Sequence, residues 1–109
     1  MHRAYTPRRA AKRWLENAPE YILDVFDNGG TTADRYTVLF GGSFLEPLLL
    51  AHRMVHFLSL SANPSSPAGI SMWGEIPAAY RPSHHRIRWL DLPEPVRKHI
   101  TTRCDNNPL

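Results

Sequence analysis

One cysteine, Cys104, stands in the whole chain. It has no internal partner for a disulfide, so packing has to hold the fold, and a reducing compartment is compatible with it. Long apolar runs are missing too. The greasiest stretch, residues 38–50, is broken by Glu46 and Pro47 and falls short of the roughly 20 apolar residues that a membrane-crossing helix requires. A soluble chain with no membrane partner is therefore expected. No apolar core of a signal peptide follows Arg13, which predicts a cytoplasmic location, that of the host cell if the chain is foreign to it. Internal repeats, low-complexity tracts and linkers long enough to separate domains are likewise absent. Acidic residues are missing from the amino-terminal stretch: Arg3, Arg8, Arg9, Lys12 and Arg13 all precede Glu16, and the remainder of the chain carries 8 basic against 10 acidic residues. The net charge of +3 is thus concentrated in residues 1–13, a basic arm of the kind that holds phosphate backbones or acidic protein surfaces, with a solvated, loose terminus as the bland account.

What is present fits one globular domain. The chain has 109 residues, 42% of them hydrophobic and 21% charged, and single cores commonly take roughly 100 to 150 residues. Residues 1–13 are expected to be disordered or to open a short helix, 14–104 to form a single domain, and 105–109 to fray. The centre of the pattern is residues 56–77, read as two strands of alternating polarity joined by a loop of Asn63, Pro64, Pro67 and Gly69. Upstream, residues 20–26 alternate as a strand, with Tyr21, Leu23 and Val25 on one side and Ile22, Asp24 and Phe26 on the other. Asp27-Asn28-Gly29-Gly30 is a turn signal, because tight hairpins need positive φ angles, and residues 35–40 return with Tyr36, Val38 and Phe40 inward. Residues 8–17 suggest a helix with Trp14 and Leu15 on its apolar stripe, and 43–56 suit either a capped helix or an apolar loop. Residues 86–90 read as a strand whose Arg86 and Arg88 face away from the core. A final helix opens at the prolines near Glu94 and buries Val96, Ile100 and Cys104, spaced four apart. The expected fold class is α+β: a small, curved antiparallel sheet of four or five strands with a C-terminal helix and a short N-terminal helix.

Candidate chemistry is sparse. His52 and His56 would share a helix face and His84-His85 would complete a metal set, but no acid stands between the first pair, and ordinary histidines account for the pattern. No metal and no cofactor are expected. Asp27, Asp34, Arg35 and Glu75 form the best polar cluster; the bland account has Asp27 capping the turn and Asp34 or Glu75 pairing with Arg35 across strands. The serines at 59, 61, 65 and 66 lack a glycine-flanked elbow.

The segment Asp27-Asn28-Gly29-Gly30, with Thr32 and Asp34-Arg35-Tyr36-Thr37-Val38, followed by Ser61, Asn63-Pro64, Pro67, Gly69 and Gly74-Glu75, resembles a group of small proteins encoded by phages and other mobile elements. The likeness covers residues 21–103 and leaves the basic arm outside. It attaches no activity. It implies a setting, since accessory proteins of this size commonly bind and redirect a host macromolecule. The leading expectation is therefore a binding protein, not an enzyme, acting on a host protein or nucleoprotein complex, as a host-defence inhibitor of the anti-CRISPR kind would. Asn63, Met72, Trp73 and Tyr80 are its candidate contacts. Two alternatives stand beside it. One is a module that binds nucleic acid through Arg3, Arg8, Arg9, Lys12, Arg13, Arg81, Arg86, Arg88, Arg97, Lys98 and Arg103, weakly and without sequence preference; the other is a small enzyme using the Asp/Glu/Arg cluster. The oligomeric state is left open.

Overall fold

The structure, a computed structural model, describes residues 7–29, 34–41, 53–64, 66, 69–79 and 85–105. Five strands, β1 (Ile22–Asp27), β2 (Tyr36–Phe40), β3 (Met54–Leu60), β4 (Ser71–Pro77) and β5 (His85–Arg86), form one open antiparallel sheet in the order β4-β3-β2-β1-β5. Strands β1 to β4 are a meander, and β5 returns to the free edge of β1. Helix α1 (Glu94–Asp105) closes the chain. The strands are rich in Val, Ile, Leu, Tyr and Phe, whose side chains suit a pleated, buried surface, and the α+β class read from the sequence is the class observed.

The first hairpin is held by its own polar residues. Gly29 has φ 78°, which a β-carbon disfavours. Its N–H donates to Asp27 Oδ1 at 2.8 Å, and Asn28 Nδ2 donates to the Asp34 carbonyl at 2.8 Å and to Thr37 Oγ1 at 3.1 Å. Gly30 and the tip of that turn lie outside the described residues, as does most of the 43–56 segment.

Residues from both faces of the sheet are buried. On one face Ile22, Val25, Tyr36, Val38, Phe40, Leu58 and Leu60 meet Val96, Ile100 and Cys104 of α1, the helical stripe expected from spacing. On the other, Leu23, Phe26, Leu39, Val55 and Ala78 form a second cluster. The strict alternation expected of β1 fails because Leu23 is bulged: Ile22 faces Phe40 while Asp24 faces Leu39, so one extra residue sits in β1. The bulge carries Val25 round to the face of Ile22 and leaves Leu23 and Asp24 together on the other.

Two other expectations are corrected. Residues 8–17 do not form an α-helix; only the 3-10 turn Lys12–Trp14 is helical. The chain before it is drawn to the edge of β1, where the Ala10 N–H donates to the Leu23 carbonyl at 2.8 Å and Arg9 Nε to the Ile22 carbonyl at 2.9 Å. After it, Asn17 adopts φ 64°, which ends the turn. The strand expected over 86–90 is reduced to His85–Arg86. Ile87 makes the last bond to β1, then the Arg88 N–H turns to Asp91 Oδ2 at 2.9 Å and the chain winds into the 3-10 turn Trp89–Asp91.

Candidate nucleic-acid interface

Where β5 stops, the amino-terminal segment takes over the edge of β1, and a cleft of about 440 Å³ lies between them, lined by Arg8, Arg9, Arg13, Trp14, Asp24 and Arg86 among others. Its floor is an ion pair. Arg86 Nε and Nη2 donate to Asp24 Oδ1 and Oδ2, each at 2.9 Å, and Asp24 Oδ1 also accepts from the Val25 N–H at 3.1 Å. Asp24 is 1% exposed and Arg86 39%, so the carboxylate is sealed while the guanidinium edge meets the cleft. The same guanidinium lies 5.9 Å from the Trp14 ring and 5.8 Å from that of Phe26, and Arg13 is 5.5 Å from Trp14 on its own side. Trp14 packs on the core, which holds the indole as a rigid wall.

Charge is concentrated here. Taking the cleft's four arginines and Asp24 out of the chain's 13 Lys and Arg and 10 Asp and Glu leaves nine of each, so the whole formal excess of +3 resides at this one place. Guanidinium groups around a concave, indole-walled surface suit phosphate oxygens, because the planar donor fork matches their geometry. Arg86 is held bidentate by Asp24 and keeps donors over. Held in this way, the Arg86 side chain has little entropy left to lose on binding.

The structure thus gathers Arg8, Arg9, Arg13 and Arg86 of the expected basic stripe and disperses the rest. Lys12 is exposed beside them. Arg88, exposed, is engaged by Asp91 at 2.8 Å, a pair that holds the Asp91 carboxyl below its usual range. Arg97 and Lys98 line a separate, open depression with Trp89 and Thr101. Arg103 reaches Ser71. Arg3 and Arg81 lie outside the described residues. The expectation that Arg86 faces away from the core is corrected: register places it opposite Phe26, on the face where Asp24 is buried.

The polar cluster does not assemble. Arg35 pairs with Asp27, at 2.7 Å from Nε and 3.0 Å from Nη2, and not with Asp34 or Glu75. The Arg35 bond and the Gly29 N–H hold the Asp27 carboxyl below its ordinary range. Asp34 offers its backbone carbonyl to Asn28. Glu75 sits three strands away at the opposite end, opposite His56, which itself faces Phe40. Among the contact candidates, Asn63 is exposed, and Met72, on the edge strand, is 61% exposed. Trp73 is turned inward: its ring meets Phe40 edge-on at 4.6 Å and its Nε1 donates to His56 Nδ1 at 3.1 Å. Tyr80 falls outside the described residues. His56 is a buried strand residue, so no helix face carries it beside His52; His52 and His84 are outside the described residues, and among those described no group of three potential metal ligands occurs.

Sequence reasoning passed over Asp24, the charged anchor of the cleft. The signal was a lone acid inside Ile-Leu-Asp-Val-Phe, a setting that requires a buried partner. Comparison with family models, with curated proteins and with solved structures gives no match.

Proposed function

We propose that the chain is a nucleic-acid-binding module that seats phosphates in the cleft beside β1. The observation that carries this reading is the convergence of four arginines on one concave surface that holds the chain's entire charge excess. Binding of this kind is electrostatic and sequence-tolerant. In the setting the resemblance implies, a phage or mobile-element protein in the host cytoplasm, such a module engages a host nucleoprotein, one way for a host-defence inhibitor of the anti-CRISPR kind to act. A direct protein contact is supported by one feature, the exposed Met72 on the open edge of β4; the inward turn of Trp73 removes the larger anchor from that surface.

The test is fluorescence anisotropy with labelled single-stranded and duplex DNA across a salt series. The full chain should bind at low ionic strength with log K falling linearly in log salt. Replacing Arg8 and Arg13 together by glutamine should weaken binding for all sequences and flatten that slope by roughly 1.4 to 1.8, the value for two phosphates. Arg9 and Arg86 are left in place because they tie the fold together. Absence of salt-sensitive binding to DNA or RNA at low ionic strength would end this reading.

A further inference from the structure

Ser71 opens β4, the outermost strand of the sheet among the described residues, opposite Leu60 and on the face covered by α1. His99 and Arg103, four apart on α1 and so on one helix face, both reach it. His99 Nε2 lies 2.9 Å from Ser71 Oγ; Arg103 Nη1 lies 2.6 Å from that oxygen and 2.8 Å from the Ser71 carbonyl. A guanidinium only donates, so Oγ accepts from Arg103. In the tautomer that carries its proton on Nδ1, His99 Nε2 accepts the Oγ hydrogen. Burial, and secondarily the Arg103 charge, push the His99 pKa below its usual 6.5, which keeps the ring neutral and basic near pH 7.

The backbone completes the arrangement. Ser61 N–H bonds the Ile70 carbonyl, and Ala78 N–H bonds the Arg53 carbonyl. In an antiparallel ladder the bonded pairs come at every second residue, so the amides and carbonyls of Ser71 and Trp73 point away from β3 toward the open edge. The bond from Arg103 to the Ser71 carbonyl is made on that side. A hydroxyl, a neutral imidazole that accepts its proton, a guanidinium beside the oxygen and outward amide donors are the parts of an acyl-transfer site.

We propose that Ser71 is a nucleophile, activated by His99 as general base, that takes the acyl group of small activated carboxylic esters. His99 Nε2 removes the Oγ proton as Oγ bonds to the carbonyl carbon, and the oxyanion faces Arg103 and the edge amides. The bond to the alkoxide then breaks, and the alkoxide leaves with the proton from Nε2. Water, deprotonated by the same nitrogen, hydrolyses the acyl-serine and returns the hydroxyl. Arg103 is a positioning residue in the free protein, since it fixes the Ser71 rotamer through two bonds. This site is separate from the arginine cleft and does not depend on it.

The full chain is incubated with an alkyl fluorophosphonate and, separately, with p-nitrophenyl acetate. Intact mass and peptide mapping should show one adduct, on Ser71, and an ester-cleavage burst that Ser71→Ala abolishes without changing DNA affinity. His99→Gln should slow labelling about a hundredfold, within the range for a general base, and the wild-type labelling rate should fall as pH drops through the His99 pKa. An unlabelled wild-type chain overturns the proposal. So does a wild-type rate that stays flat from about pH 8 down to about pH 4, a span that reaches below the ordinary histidine range because the His99 pKa is lowered, a result that stands even if His99→Gln fails to fold. An adduct elsewhere, or an undiminished rate in folded His99→Gln, overturns it as well.

Discussion

Arg86 donates to both carboxylate oxygens of Asp24 at 2.9 Å, joining residues 62 positions apart in sequence. The bond stitches a two-residue strand to β1 and orients the guanidinium that floors the cleft. Its two halves are not equivalent. Water reaches Arg86, at 39% exposed, but not Asp24, at 1%.

That asymmetry predicts unequal costs. Arg86→Gln removes the bidentate charge partner of a sealed carboxylate and should destabilise by about 3 to 5 kcal/mol. Asp24→Asn keeps the volume and leaves a cation that water can solvate, so about 1 to 3 kcal/mol is expected. Urea unfolding measures both, with an unchanged slope reporting a stability effect alone. Equal losses would show that the carboxylate is not sealed as described.

The glycines give a second ranking. A β-carbon on Gly69 would run into the Asn63 carbonyl and the Pro64 backbone, whereas one on Gly74 would meet the Phe57 ring at 2.5 Å, and one on Gly29 meets nothing but sits at φ 78°. Backbone cannot step aside as a ring can. Gly69→Ala should therefore be the most damaging of the three, with Gly74→Ala costing about 1 to 3 kcal/mol for overpacking and Gly29→Ala about 1 to 2 kcal/mol for left-handed strain. Thermal melts rank them. Phe57→Leu should restore much of the Gly74→Ala loss; if it does not, the ring is not what occupies that space.

Acid should act through two groups with distinct windows. The pKa of His99 is lowered by folding, so the unfolded chain binds its proton first and stability declines as pH falls below about 6.5. Asp27 is also lowered, from 3.8, by Arg35. Its contribution is complete above the unfolded value and is lost as pH falls through the folded one. Unfolding free energies measured from pH 8 to pH 3 should show both limbs. His99→Gln should flatten the upper limb and Asp27→Asn the lower; a variant that leaves its limb intact assigns that limb to another group.

What the sequence could determine by itself was whatever depends on near neighbours. Turn chemistry at Asp27-Asn28-Gly29, alternation in β2 through β4 and the four-residue spacing of Val96, Ile100 and Cys104 are local, and each appears in the structure much as its residues imply. Tertiary structure decided the rest. The bulge at Leu23 exchanges faces within β1 without any local sign. The basic segment chose the edge of β1 over a helix because Leu23 and Ile22 offered carbonyls there, a bond its own turn could not outbid. Trp73 was drawn inward by Phe40 and His56. The cleft and the Ser71–His99–Arg103 network each unite residues from distant segments. Such meetings depend on strand order and on how the helix crosses the sheet, and these follow from packing the whole chain at once.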